Sequence, residues 1–505
     1  MPSQKTKRKN TTSSKESPAI SVRMYRQGLG DCFLITIPAK SGEEFHMMID
    51  CGVVLGTPDP SAVMEKVVQD IITTTGGEID LLVVTHEHWD HVSGFNQAEK
   101  LFSDKPAEGK LHPKQVWFAW TEDPKDKLAT KLRAERRGAE DAVRMAVQLL
   151  GLGKDIQTTE RVDSLVGFFG PASGSTSAAL AKVKALVNGK PRFCQPGEPP
   201  IVLSEIPSVR FWVLGPPKDE KLIKKSNPGK GEAYGLDAGP EGSQQFLISG
   251  LVRGMGQNNA ALTEDSIEEP FDPMYAIPMA RAEHVPFFEQ RYFGPSTDEG
   301  VYDRSKHTPV RDQSWRRVDS TWLESSETMA LQLDSATNNT SLVLAIEIIA
   351  TGEILLFPGD AQAGNWLSWQ ELQWELTDPK SGEKKRVTGP DLLARTIFYK
   401  AGHHGSHNAT LKEKGLELMM SDDLVVMIPV DHDMAVKKSW GRMPLPDLVE
   451  RLNVKAKRRV LRIDDPVQTD ADLIKSKPKD VSAAEWAAFT ARVKVNKLYF
   501  DLRFF

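Results

Sequence analysis

The sequence predicts a mixed α/β fold with long insertions, and three observations carry that prediction. Strand-like alternation opens the ordered chain at Ile20, with SVRMYRQ, CFLITIP and FHMMID in succession. Apolar residues then recur at helical spacing over residues 61–75, SAVMEKVVQDIITTT. A Val-rich strand, Leu81 to Val84, follows and runs straight into His86, Glu87, His88, Trp89, Asp90 and His91.

Taken in order, residues 1–19 form a basic tail, with Lys5, Lys7, Arg8 and Lys9 clustered and almost nothing apolar to bury, so disorder is expected there. Gly28 to Gly30 make a turn between the first two strands. Ser61 is the candidate N-cap of the first helix, and Gly76 and Gly77 stop it. QVWFAW at 115–120 reads as the next strand. The segment 124–190 reads as a helical insertion, with helices over 124–151 and 177–187. Its Arg133, Arg136, Arg137 and Arg144 either face a polyanion or, interleaved with Glu135, Glu140 and Asp141, form an ordinary solvated face. The strand at 208–217 closes a first half spanning 20–217.

Residues 218–337 have weak periodicity and are expected to form an insertion that caps the active site, with a helical piece around Ser320 to Leu333. Phe287, Phe288, Tyr292, Phe293 and Trp315 either line a pocket there or anchor the insertion to the core. Regular structure returns at Asn338. The phrases NNTSLVLAIEI and ILLFPGDA describe a hairpin that delivers Asp360 at a strand end, and RTIFYKAGHHGSHNAT delivers His403 and His404 the same way. The second half, 338–505, ends in an extension with a helix at 444–452, the basic stretch KAKRRVLRI and a last strand, KLYFDLRFF.

With a formal net charge of -5 and a pI near 6.2, the chain has no global basic field for nucleic acid or membrane. No apolar run approaches the roughly 18–20 residues that span a bilayer, and no hydrophobic signal core opens the chain, so a cytoplasmic protein without membrane contact is expected. Cys32, Cys51 and Cys194 make neither a disulfide framework nor a CxxC pair and read as buried small hydrophobes.

The chemistry sits at the end of the Leu81–Val84 strand. Side chains alternate along a strand, so His86 and His88 point the same way, toward one ion, while Asp90 and His91 follow the turn and reach a second. Neutral imidazoles and carboxylates suit zinc, and also manganese or iron. His46, His112, His284 and His307 lack such neighbours and read as background, and His407 as a polar loop residue.

THEHWDH resembles the HxHxDH signature of the metallo-β-lactamase superfamily, and the later order of PGD and HHGS, each at a strand end, strengthens the resemblance. It implies a four-layer αββα sandwich with metals at one edge. QGLGDCFLI, MMIDCG and NNTSLVL are similar to phrases of one branch, the ComEC-type DNA-internalisation proteins and their soluble relatives. The resemblance implies that His86, His88 and either His403 or His404 hold a first metal, that Asp90 and His91 hold a second, and that Asp360 bridges them. Asp50 and Asp31 then support the ligand loop. Asn338, Asn339 and Ser406 are candidates for ligand support or substrate contact. Asn338 and Asn339 stand where many members of the superfamily carry a histidine. The branch's downstream GHP phrase is replaced by Trp440-Gly441-Arg442-Met443-Pro444. Either His432 completes the second metal or the site is mononuclear or weakly binuclear, and Arg442, which cannot bind a metal, is suited to a phosphate.

The activity implied is hydrolysis by a metal-activated water, with Asp90 and Asp360 as the catalytic carboxylates. A phosphodiester in nucleic acid, a nucleotide or a phosphocholine group is the substrate the branch implies. Carboxylic ester, lactone or thioester hydrolysis uses the same core, and an iron-dependent oxidoreductase is a further alternative. Phosphodiester cleavage predicts an Arg/Lys rim from Arg442, Lys400 and the 133–144 helix. Ester cleavage predicts an apolar pocket.

Overall fold

The computed structural model describes residues 19–152, 162–225, 277, 279–282, 284–293, 325–377, 382–438, 440 and 442–504. The basic tail before residue 19, Trp315 and most of the 218–337 insertion lie outside the described residues.

The opening alternation forms an antiparallel meander of β1 (Ile20–Tyr25), β2 (Phe33–Pro38) and β3 (Glu44–Ile49). Val22, Phe33, Ile35 and Met47 face one side and Tyr25, Leu34 and Met48 the other, as period-2 alternation requires. The helix α1 (Pro60–Thr75) follows. Its N-cap is Asp59, not Ser61, because Pro60, with φ pre-set for a helix, takes the first helical position. Gly76 ends it in a left-handed conformation, its N–H returning to Ile72 O.

The chain continues through β4 (Glu78–Ile79), β5 (Leu81–Val83), the short helix α2 (Trp89–Val92), β6 (His112–Pro113) and β7 (Val116–Ala119). The long helix α3 (Lys127–Leu152), α4 (Ser175–Ala185), β8 (Arg192–Cys194) and β9 (Val209–Gly215) come next. After the insertion come α5 (Ser325–Asn338), the hairpin β10 (Val343–Ile348) and β11 (Glu353–Phe357), and the small hairpin β12 (Gln373–Thr377) and β13 (Lys384–Thr388). The last strands are β14 (Thr396–Lys400), β15 (Val425–Ile428), β16 (Val460–Arg462), β17 (Val493–Val495) and β18 (Tyr499–Phe504).

Two sheets result. One is eight-stranded, in the order β17-β18-β1-β2-β3-β5-β7-β8, and the other six-stranded, in the order β16-β15-β14-β11-β10-β9. The final strand closes the molecule by pairing antiparallel with the first, Ile20 opposite Phe504. The two sheets face each other across one apolar core that takes Val22, Phe33 and Val83 from the first sheet and Phe211, Leu344 and Phe398 from the second. Outside the first sheet lie α1 and α4, contributing Val67, Ile71, Leu180 and Val183. Outside the second lies an apolar layer with Trp366, Trp369 and Leu393. This is a helix-sheet-sheet-helix sandwich, with every layer joined by buried side chains. The buried free thiols of Cys32, Cys51 and Cys194 belong to it.

A separate apolar cluster joins α3, residues 162–169 and α5 through Ala142, Val143, Phe168, Met329 and Leu333. It brings a piece of each insertion together beside the end of β5. Among the described residues no helix is long and apolar enough to cross a membrane.

Candidate metal centre

Strand ends place the polar residues. β5 delivers Thr85 to His91, the turn after β11 delivers Asp360, and the turn after β14 delivers His403 and His404. The β3 end supplies Asp50. Close backbone approach is built in at Gly52, where any Cβ would overlap the Asp90 main chain, so the ligand loop can lie directly on the strand end. Asp50, His403 and His404 hold left-handed φ of 56°, 43° and 52°. Such a conformation costs a non-glycine residue on the order of 1–3 kcal/mol and persists where surroundings over-determine it.

The ligand atoms of Asp90, His91, Asp360 and His404 lie within 4.8 Å of one another, and all four residues are buried. His404 Nε2 is 2.8 Å from Asp90 Oδ2 and 3.9 Å from Asp360 Oδ2, and His91 Nε2 is 3.1 Å from Asp360 Oδ2. Alongside, His86 Nε2 faces His88 Nδ1 at 3.1 Å. His404 therefore falls with Asp90 and His91 rather than with the His86–His88 pair.

Rear contacts set the ring orientations. His91 Nδ1 donates to Asp50 Oδ2 at 2.8 Å. Thr85 Oγ1 donates to the same carboxylate at 2.6 Å and sits 3.0 Å from His86 Nδ1, which can then only donate to it. His404 Nδ1 donates to Pro429 O at 2.7 Å. In each case Nδ1 carries a proton, which turns Nε2 into the cluster. His403 Nδ1 contacts Ser406 Oγ at 2.9 Å and the Gln362 amide at 3.2 Å, and its Nε2 is buried without a partner.

Electrostatics divide the rings. Burial holds His86 neutral well below its usual range, and pushes His88 down to about 3 and His403 to about 4. Burial opposes charge on His91 and His404 as well, but the carboxylates of Asp360, Asp90 and Asp31 outweigh it and raise both. Burial likewise works against ionising Asp90 and Asp360, yet neighbouring histidines and, for Asp360, Lys400 keep both ionised, Asp90 at about 2. The donor set of neutral imidazoles and ionised carboxylates suits a divalent cation. Asp90 Oδ1 and His403 Nε2, buried without a hydrogen-bond partner among the described residues, are atoms such a cation would satisfy.

Around the cluster, Lys400 is buried and spans Asp31 Oδ2 at 2.5 Å and Asp360 Oδ1 at 2.8 Å, donating also to Gly359 O. The Asp31 backbone is tied to the Asp90 carbonyl, N to O 3.0 Å. Asn339 is a joint of the scaffold: its Oδ1 accepts from Gln362 and Asn365 N–H groups and its Nδ2 donates to Ile223 and Lys225 carbonyls. Asn338 Nδ2 reaches Asp334 Oδ2 at 3.3 Å. Ser406 donates to Asn408 Oδ1.

The remaining candidates lie apart from this group. His432 is exposed at the start of a short helix, its Nδ1 donating to Met443 O at 2.9 Å, and it belongs to neither cluster of ligand atoms. Arg442 is exposed. Three of the four α3 arginines are engaged within the protein, and Arg137 is exposed. Arg136 pairs with Glu87 of the ligand loop, Arg144 with Glu140, and Arg133 with the carbonyls of Thr121 and Asp123.

A model of the metallo-beta-lactamase superfamily matches residues 25–177, the stretch that carries the His86–His91 loop. That segment is similar to the metallo-beta-lactamase superfamily. No curated protein and no solved structure matches the chain. Asp360, His403 and His404 lie beyond the matched segment, and the mixed α/β sandwich that carries them to it is consistent with the metallo-beta-lactamase fold.

The sequence reading missed two parts of this site. The first is Lys400 as an internal counter-ion. The second is Asp334, buried on α5 with Oδ1 3.8 Å from His88 Nε2. The available signal for Asp334 was a carboxylate on the same helical face as Ala330 and Leu333, where an apolar residue is the rule. Of the insertion aromatics, Phe287, Phe288 and Tyr292 pack on one another. The rings beside the histidines are instead Phe168 and Phe169, whose centroids lie 5.3 and 5.2 Å from His88. Phe168 stacks on Trp440 at 4.5 Å and lies 6.1 Å from His403.

Proposed function

We propose that the protein is a metal-dependent hydrolase holding one or two divalent ions, with zinc the first candidate and manganese or iron the others. The convergence of Asp90, His91, Asp360 and His404 beside the facing nitrogens of His86 and His88 carries the reading. A divalent ion bound there supplies a water acidic enough to ionise near neutral pH and a charge that polarises the scissile group. His86 Nε2 and His88 Nδ1 would hold one ion, and Asp90, His91 Nε2 and His404 Nε2 a second, with Asp360 Oδ2 between them. Asp90 Oδ1, without a protein partner, is placed to accept a proton from the attacking water. His403 Nε2, also without a partner among the described residues, is available to a substrate.

Two substrate classes follow from different observations. The phrases NNTSLVL and HHGS, similar to the ComEC-type branch, support a phosphodiester of nucleic acid, a nucleotide or a phosphocholine-like group. That chemistry calls for cations beside the reacting group, whereas Lys400, Arg133, Arg136 and Arg144 are all engaged within the protein. The aromatic rings at His88 and His403 support instead a carboxylic ester, lactone or thioester, and this is the class the lining favours. Metal analysis of the purified protein, followed by hydrolysis of bis-para-nitrophenyl phosphate, single-stranded DNA and a simple lactone, tests both. Wild type should hydrolyse one class and Asp360→Ala none. Activity undiminished after replacing both His86 and His88 with Ala would refute the hydrolase reading, and iron with oxygen consumption in place of hydrolysis would assign a redox site.

A further inference from the structure

Of the five histidine rings in the cluster, four have a nitrogen fixed from behind by a residue outside it: His86 by Thr85, His91 by Asp50, His403 by Ser406 and His404 by Pro429 O. His88 differs. Its Nδ1 faces His86, and its Nε2 is buried with no hydrogen-bond partner among the described residues. The nearest carboxylate oxygen to that nitrogen is Asp334 Oδ1, at 3.8 Å, and it too is buried without a partner. Two such atoms facing each other just beyond bonding distance mark a contact that closes with a small movement. Asp334 Oδ2 is already held by Asn338.

Resting on the metal-site reading above, we propose that Asp334 is the positioning residue for His88, accepting the Nε2 proton once Nδ1 is turned to an ion. A ligating imidazole is regularly oriented by a carboxylate on its other nitrogen, which fixes the tautomer and makes the ring a better donor. Asp50 already does this for His91 from the sheet. Asp334 does it from α5, a helix that packs on α3 and residues 162–169 rather than on the sandwich core. With an ion held at His86 and His88, that contact would tie α5 to the ligand loop. The neighbouring motif residue holds the other wall, since Glu87 pairs with Arg136 of α3 and accepts from Thr176 and Ser177. Adjacent residues of the ligand loop thus tie down two insertion helices, one permanently and one when the ion is present.

The test measures zinc stoichiometry and affinity by chelator competition, together with amide hydrogen exchange over residues 325–338, in the full-length protein with and without zinc. Asp334→Ala should bind zinc about 10–100-fold more weakly, and the slowing of exchange that zinc produces in wild-type α5 should disappear. Asp334→Asn, close in volume and still offering an oxygen to Nε2–H, should fall between the two, and near-wild-type melting of the zinc-free variants would show that the fold is intact. In wild type, ¹⁵N spectra should show His88 as the Nε2–H tautomer with zinc bound, and Asp334→Ala should lose that preference. Equal zinc affinity in wild type and Asp334→Ala, with α5 protected alike in both, overturns the role of Asp334 and leaves the metal site standing. Failure of wild type to bind any divalent ion overturns the metal site itself, and this role with it.

Discussion

His404 and Asp90 meet at 2.8 Å although 314 residues separate them in the chain. His404 Nδ1 is already donating to the Pro429 carbonyl, so the nitrogen that meets Asp90 is the one available to an ion. In the ion-free protein a proton occupies that contact.

Metal uptake should therefore release protons. Burial works against charge on His91 and His404, but the surrounding carboxylates raise both above the ordinary 6.5. A raised pKa means the ring keeps its proton to higher pH than a free imidazole, and an ion must displace that proton. Affinity should accordingly rise with pH until the pH passes those raised values, then level off. Titration calorimetry of zinc binding in two buffers of different ionisation enthalpy measures the protons released. An apparent heat that does not depend on the buffer would contradict the assignment.

The same geometry separates two histidines. His404→Ala removes a buried ligand atom from the Asp90–His91–Asp360 group and should lower zinc stoichiometry or affinity sharply. His432→Ala removes an exposed ring bonded only to the Met443 carbonyl and should leave zinc affinity within about twofold, as surface substitutions generally leave structure undisturbed. Competition with a chromogenic chelator reads both variants, and the reverse ranking would put His432 back in the site.

Asp50 works through two rings at once, taking the His91 proton directly and the His86 proton by way of Thr85. Asp50→Ala should weaken zinc binding about 10–100-fold while leaving the direct ligands in place. Thr85→Val, which breaks only the His86 branch, should cost less. A Thr85→Val defect as large as that of Asp50→Ala would mean that Asp50 acts on the fold and not on the rings.

The sandwich and the strand-end donors were legible because both follow from local rules. Alternation identified β1, β2, β3 and the β10–β11 hairpin, and the apolar run Leu81–Val84 followed by His86 to His91 identified the ligand loop. The helix at 61–75 was legible too, apart from its cap, where Pro60 and Asp59 displaced Ser61. What stayed hidden was tertiary partnership. The basic-acidic mixture of α3 looks like a solvated face, yet Arg136 is spent on Glu87. Lys400 ends a β-strand in a sequence that reads as a substrate rim, yet it lies between two carboxylates that arrive from residues 31 and 360. Nothing local marks which of two histidines, His404 or His432, a distant aspartate will meet.

Lys400 yields the remaining prediction. It is fully enclosed, and its ammonium faces both Asp31 and Asp360, which His91 also meets at 3.8 and 3.1 Å. Replacing one partner of a buried ion pair strands the other, at a typical cost of roughly 3–5 kcal/mol. Lys400→Met should therefore destabilise the zinc-free protein by about that amount. An ion held by Asp360 would restore positive charge beside one of the two stranded carboxylates. The destabilisation should then be smaller with zinc bound than without it, and zinc should raise the melting temperature of Lys400→Met more than that of wild type. Urea unfolding of both proteins, with saturating zinc and with chelator, makes the comparison. If Lys400→Met loses the same stability in both conditions, then Lys400 and the ion do not share Asp360, and the bridging position given to that carboxylate is wrong.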